Sequence, residues 1–154
     1  MASTPARTEL ANVRAWLLDT GPLVAYLDAR DPSHRTVASC LDEYSGQLLT
    51  TSAVITEAMH FVSACKGGAR LLAEFVEASG TAVYDLCAPP ELGEAAALMD
   101  KYADTPMDFA DATLVLLAEG LGVHDVLTLD RRGFSTYRTR RGKALRQVLP
   151  GLAG

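Results

Sequence analysis

Short, continuous apolar runs alternate along this chain with longer amphipathic stretches. Ala15-Trp16-Leu17-Leu18 and the Leu-rich run at 125–129 have the length and content of strands buried on both faces. Residues 47–50 and 81–86 read as two further strands. Between them lie helical patterns with recognisable starts. Gly21-Pro22 open an apolar helix that reaches Leu27. Asp31 as cap and Pro32 at the first position start another, running to about residue 44. Ser52 caps a helix to about residue 64, Lys66-Gly67-Gly68 break the chain, and 69–78 form the next. Pro89-Pro90-Glu91 begin a helix to about residue 102. Thr105-Pro106-Met107-Asp108 provide a cap, a proline and an acid at the third position for a helix that ends near Gly120 and Gly122. After Gly133-Phe134 come two possible strands, at 136–138 and 145–149.

Strands separated by helices of this length imply an α/β fold, a parallel sheet flanked by helices. At 154 residues the chain can build one core of its own. Residues 14–150 are expected to form a single domain, with 1–13 a loose arm. No apolar run approaches the ~18 residues of a membrane span, and Arg7, Glu9 and Arg14 interrupt any signal-peptide core. Cys40, Cys65 and Cys87 are widely spaced and odd in number, which fits free buried thiols in a reducing cytoplasm. Trp16, Phe61, Phe75 and Phe109 read as core, and His34 as a helix-surface residue.

Charge is divided unevenly. Residues 131–154 carry seven cations, Arg131, Arg132, Arg138, Arg140, Arg141, Lys143 and Arg146, and no acid. All 19 acids lie in the first 130 residues, against seven cations. The basic end is either an edge that meets a polyanion or a solvated hairpin with arginines on its outer face.

Four acids stand at the ends of otherwise apolar segments: Asp19, Glu57, Asp111 and Asp130. Sites in open α/β sheets form at the carboxyl ends of strands, where helices begin. Asp19 and Asp130 directly follow strands, Asp111 lies near a helix start and Glu57 in a second helical turn, so all four can meet at one rim. Each has a plainer reading as well. Asp19 could only cap the next helix, Asp130 could be a turn residue paired with a neighbouring Arg, and Glu57 could be salt-bridged to an Arg. Asp108, three residues before Asp111 on the same helix face, is explained as the third residue after a Thr105 cap, whereas Asp111 has no such local explanation. Clustered carboxylates raise one another's pKa unless a cation neutralises them. Oxygen-only ligands favour Mg²⁺ or Mn²⁺ over Zn²⁺, and His34, His60 and His124 form no zinc-binding pattern. The chemistry that suits such a site is phosphodiester hydrolysis.

The ordered set Leu18-Asp19-Thr20-Gly21-Pro22, Val54-Ile55-Thr56-Glu57, Asp108-Phe109-Ala110-Asp111-Ala112 and Leu127-Thr128-Leu129-Asp130-Arg131-Arg132-Gly133-Phe134 resembles the PIN domain. More narrowly, it is similar to the VapC-type ribonuclease toxins of toxin–antitoxin systems, over nearly the whole chain from Trp16 to Leu149. The order of the motifs and the 38, 54 and 19 residues between the acids carry the resemblance. Gly133 stands where Asp is more frequent. The resemblance implies a three-layer α/β/α fold with a mostly parallel sheet of four or five strands, usually in a homodimer. It implies Asp19, Glu57, Asp111 and Asp130 as catalytic and metal-binding acids, Asp108 as an auxiliary one, and Thr20 and Thr128 as polar supports. Mg²⁺ or Mn²⁺ would be the cofactor, RNA the substrate and a VapB-like antitoxin the partner. Arg131, Arg132, Arg138, Arg140 and Arg141 would contact RNA phosphates. Two rival readings are a PIN-fold RNA-binding protein without turnover and a haloacid-dehalogenase-like phosphatase; the second needs an acid at position 21, which is Gly.

Overall fold

The computed structural model describes residue 10 and residues 13–150. The expected arm at 1–13 falls mostly outside the described residues; within it Leu10 is buried and Val13 exposed. Five strands form one sheet: β1 (Ala15–Leu18), β2 (Gln47–Thr51), β3 (Ala82–Tyr84), β4 (Asp125–Leu127) and β5 (Arg146–Gln147). Every pairing is parallel, in the order β3-β2-β1-β4-β5. Seven helices among the described residues flank it: α1 (Thr20–Leu27), α2 (His34–Glu43), α3 (Ser52–Val62), α4 (Gly68–Ser79), α5 (Pro89–Lys101), α6 (Phe109–Leu121) and α7 (Arg131–Thr136). The strand order reverses between β1 and β4, and the crevice outside their carboxyl ends is where such sheets take ligands.

The centre of the sheet is dry. All four residues of β1 are buried, with Leu17 and Leu18 at 0% exposure, and Val126 and Leu127 of β4 match them. These strands join α6, whose stretch from Ala110 to Ala118 is buried throughout, in one apolar cluster. Truncating such a fully packed leucine to alanine costs about 2–5 kcal/mol, so the ends of β1 and β4 rest on a stiff base.

Several starts differ from the sequence reading. The 31–33 segment is a turn, in which Asp31 accepts from Ser33 N at 2.8 Å, and α2 begins only at His34. Thr51, not Ser52, caps α3, its hydroxyl accepting from Val54 N. The expected strand at 136–138 is instead the end of α7 followed by an isolated antiparallel bridge from Arg138 to Ala144. Asp130 ahead of Arg131-Arg132-Gly133 caps a helix more readily than it continues a strand. Phe61 is not core: it is 53% exposed, while Phe75 and Phe109 are partly buried and Trp16 is buried. The cysteines are free, but Cys40 and Cys65 are half-buried and Cys87 is exposed.

Candidate active site

Asp19 leaves β1 and caps α1. Its Oδ1 accepts from Thr20 N at 2.8 Å and its Oδ2 from the Thr128 hydroxyl at 2.7 Å. Thr128 follows β4 and also accepts from Asp130 N at 3.0 Å, so a single hydroxyl ties the ends of the two switch-point strands together. This turning inward ends β4 at Leu127, two residues sooner than the apolar run suggests. Asp130 in turn caps α7, accepting from Gly133 N at 3.0 Å.

Asp108 and Asp111 form a reciprocal capping box at the start of α6. Asp108 Oδ1 accepts from Asp111 N at 2.8 Å, and Asp111 Oδ2 accepts from Asp108 N at 3.2 Å. The cap is therefore Asp108 rather than Thr105, and Asp111 does have a local role as the third residue of the box. The preceding turn already engages Thr105, whose N–H donates to Tyr102 O. Such boxes stabilise a helix start by about 1 kcal/mol.

The five acids are close enough to act on one another's charge, Asp130 through Asp19 and the others through Asp19 and Asp108. Burial pushes the Asp19 carboxyl up to about 6; the two hydrogen bonds pull it down, and the charges of Asp108 and Asp130 push it up again. Burial raises Asp111 to about 8, with Asp19 and Asp108 adding to the shift. Glu57, half-buried on α3, is raised to about 7 by burial and then by Asp108 and Asp19. No lysine or arginine forms an ion pair with any of these acids among the described residues; the ion pairs present are Arg30–Asp28, Arg140 with Glu94 and Glu119, Arg141–Glu119 and Arg146–Asp125. The salt-bridge readings of Glu57 and Asp130 fail on this point. The cap reading of Asp19 holds, but as one of two roles.

Thr20 is buried, and its hydroxyl completes no hydrogen bond of normal geometry. It lies close enough to Glu57 to lower that carboxyl's pKa. Among the described residues, no group of three or more acidic, histidine or cysteine side chains is drawn together closely enough to hold a metal ion by itself. The crevice is an open, oxygen-lined site.

Tyr137 belongs to this site, and sequence reasoning missed it. It is fully buried, and its hydroxyl lies 3.2 Å from Pro106 O and 3.5 Å from Asp111 Oδ2. Its ring packs edge-on to Phe134 and Tyr102. Gly133 makes the arrangement possible: a Cβ there would lie 2.3 Å from Asp130 Oδ2 and 3.0 Å from the Tyr137 hydroxyl. The glycine that departs from the family pattern is the only signal in the sequence that could have pointed there.

The arginines divide. Arg140 pairs with Glu119 and Glu94 and Arg146 with Asp125, while Arg131 donates to the carbonyls of Leu149 and Pro150 and Arg138 to those of Ser135 and Tyr137. Arg132 is exposed; its carbonyl accepts from the Thr136 hydroxyl, and its guanidinium has no partner among the described residues.

No family model matches the chain. It is 36% identical over 124 residues to Ribonuclease VapC26 of Mycobacterium tuberculosis (strain ATCC 25618 / H37Rv), a match covering 79% of this chain and 91% of that protein. The crystal structure of VapC20 from Mycobacterium tuberculosis, a sarcin–ricin loop cleaving toxin, superposes with a TM-score of 0.67 at 17% identity, covering 77% of this chain and 91% of that one. VapBC2 from Rickettsia felis, solved with a DNA fragment from its promoter, gives a TM-score of 0.55 at 14% identity, covering 87% of this chain and 97% of that one. The two structures speak for the fold and the sequence match for the lineage. The chain belongs to the VapC-type family of PIN-domain ribonucleases.

Proposed function

We propose that this protein is a Mg²⁺- or Mn²⁺-dependent endoribonuclease and the toxin of a VapBC-type pair. In this reading it works in the cytoplasm as a homodimer and is held in check by a VapB-like antitoxin. The observation that carries it is the gathering of Asp19, Glu57, Asp108, Asp111 and Asp130 around one crevice with no protein cation to neutralise them. Burying carboxylates without a counter-charge is costly, and a divalent cation supplies the missing charge.

The residues fit such an ion. The donors are hard oxygens, and the buried Thr20 hydroxyl lacks a good partner. An open arrangement suits Mg²⁺, which is held by one or two carboxylates and keeps several waters. Asp19 and Asp111, the two buried carboxylates, would be the central ligands, with Glu57, Asp108 and Asp130 around them. When bound, the ion would acidify the attacking water and offset charge on the leaving oxygen.

The chain's own groups do the rest. Thr128 and the Thr20 N–H hold the Asp19 carboxylate in one rotamer, and the capping box does the same for Asp111. Glu57, with a raised pKa and no hydrogen bond fixing it to the backbone, can take up or release a proton near neutral pH. Arg132, with Arg131 and Arg138 beside it, offers positive charge to RNA phosphates next to the acids. The solvated-arginine reading suits Arg140 and Arg146, whose charges are already matched by acids.

The test is purified protein incubated with RNA in Mg²⁺, Mn²⁺ or EDTA. We expect internal cleavage with either metal, none in EDTA and none from Asp19→Asn. Equal behaviour of wild type and Asp19→Asn in Mn²⁺ overturns the proposal and favours a PIN fold that binds RNA without turnover.

A further inference from the structure

An open groove of about 590 Å³ runs between α3 and α6, and Glu57 and Asp108 form part of its wall. Away from those acids it is lined by Ala53, His60, Phe61 and Phe109, and no lysine or arginine lines it. Phe61 leaves 53% of its surface in water, and the His60 ring meets it edge-on at 5.7 Å between centroids. Glu57 and Phe61 are four residues apart on one face of α3, so their backbone positions are about 6 Å apart along the helix axis. Phe109 directly follows Asp108. This uncharged aromatic groove thus leads away from Glu57 and Asp108.

Resting on the ribonuclease reading, we infer that the groove binds an unpaired nucleobase of the RNA strand beside the scissile phosphate, stacked on Phe61 and Phe109. A nucleotide has one charged part and one flat, largely apolar part. Carboxylates at the groove's mouth repel the first, and the aromatic wall suits the second. That axial spacing of about 6 Å lies between one and two stacked nucleotide steps of about 3.4 Å each. A paired base is held in its own helix and cannot reach the groove, so the strand must be unpaired at this nucleotide.

The test uses the Asp19→Asn protein in Mg²⁺, which binds without turnover, and a single-stranded RNA oligonucleotide carrying 2-aminopurine next to the site that wild type cleaves. Stacking quenches 2-aminopurine fluorescence. We expect quenching with Asp19→Asn and loss of most of it on adding Phe61→Ala, with binding weakened about 5- to 100-fold, the range of one lost base stack. Phe61→Trp should restore both, and the same oligonucleotide in a duplex should give no quenching. Because Phe61 is half-exposed, its truncation leaves the core intact, which circular dichroism checks. Unchanged quenching and affinity in Phe61→Ala overturn the assignment. It is equally overturned if Phe61→Ala alters only the oligomeric state or only antitoxin binding, since the groove would then be a protein contact. If wild type cleaves RNA while Phe61→Ala binds normally, the groove assignment alone falls. If wild type cleaves no RNA in Mn²⁺, the ribonuclease reading falls with it.

Discussion

Thr128 donates its hydroxyl to Asp19 Oδ2 at 2.7 Å, joining positions 109 residues apart in sequence at the crevice between β1 and β4. The Thr128 hydroxyl oxygen also accepts from Asp130 N, so one side chain orients two acids. A hydrogen bond to a charged group contributes about 1.5–3 kcal/mol. Thr128→Val, which keeps the shape and removes the hydroxyl, should therefore lower cleavage about tenfold or more. The pH-rate profile should also shift to higher pH, because Asp19 loses the strongest bond that holds its carboxyl down. Rates measured from pH 5 to 9 in Mn²⁺ would show this; an unchanged profile would mean that Thr128 does not tune Asp19.

Metal-free stability should fall as pH rises. Asp19, Glu57 and Asp111 titrate at about 6, 7 and 8 in the folded chain, above the ordinary carboxyl range near 4. The folded state therefore binds more protons than the unfolded one between those values, and its stability drops across that window. Thermal unfolding in EDTA should give a lower Tm at pH 8 than at pH 5, and Mn²⁺ should recover much of the difference at pH 8. A Tm that rises with pH in EDTA would contradict the assignment of raised pKa values.

Removing a charge from the crevice should stabilise the metal-free protein while ending catalysis. Asp111→Asn keeps an oxygen that can accept from Asp108 N, so the capping box survives. The penalty for burying that charge disappears, which should raise the Tm in EDTA at pH 8 by several degrees, equivalent to about 1–2 kcal/mol. Calorimetry of both proteins with and without Mn²⁺ checks it: the variant should be the more stable in EDTA and should gain less from Mn²⁺.

Tyr137 and Gly133 form the seat of the acids on α6 and α7. Tyr137→Phe keeps the ring packing against Phe134 and Tyr102 and removes only the hydroxyl near Pro106 O and Asp111 Oδ2. It should cost about 1 kcal/mol in stability and reduce cleavage several-fold, mainly through weaker metal activation. Gly133→Ala should be worse, because its Cβ would meet Asp130 Oδ2 at 2.3 Å and force that carboxylate out of place. Mn²⁺ titrations of activity would separate the two: a higher half-saturating concentration is expected for both, and normal activation of Gly133→Ala would rule out the proposed displacement.

The order of β1 to β4 and α1 to α6 and the parallel sheet were legible in the sequence, because short apolar runs and helix starts are local signals. All five acids were named from it, Asp108 as an auxiliary one. Helix α7 was not legible, since a strand was expected at 136–138. Asp19 and Asp130 stood out by following strands, and Glu57 by lying on an apolar helix. Asp111 was picked for a partly mistaken reason: it does have a local role, as the return half of a capping box with Asp108. Sequence gives the spacing of such a pair but not which residue ends the extended segment, since that depends on the turn before it. Phe61 was misread because a hydrophobic residue on an apolar helix looks the same whether a neighbour covers it or not.

What the sequence determined by itself is most of the parts: the first four strands, the six helices from α1 to α6, and carboxylates in an order shared with a family of nucleases. Only the tertiary structure decided how those parts meet. The reversal of strand order beside β1 brings Asp19, Thr128 and Asp130 together, and among the described residues no arginine or lysine forms an ion pair with the acids there. The seat formed by Tyr137 and Gly133 and the exposed aromatic groove at Phe61 likewise depend on packing between distant segments. Such contacts are set by which faces the core buries, and no local pattern of residues encodes them.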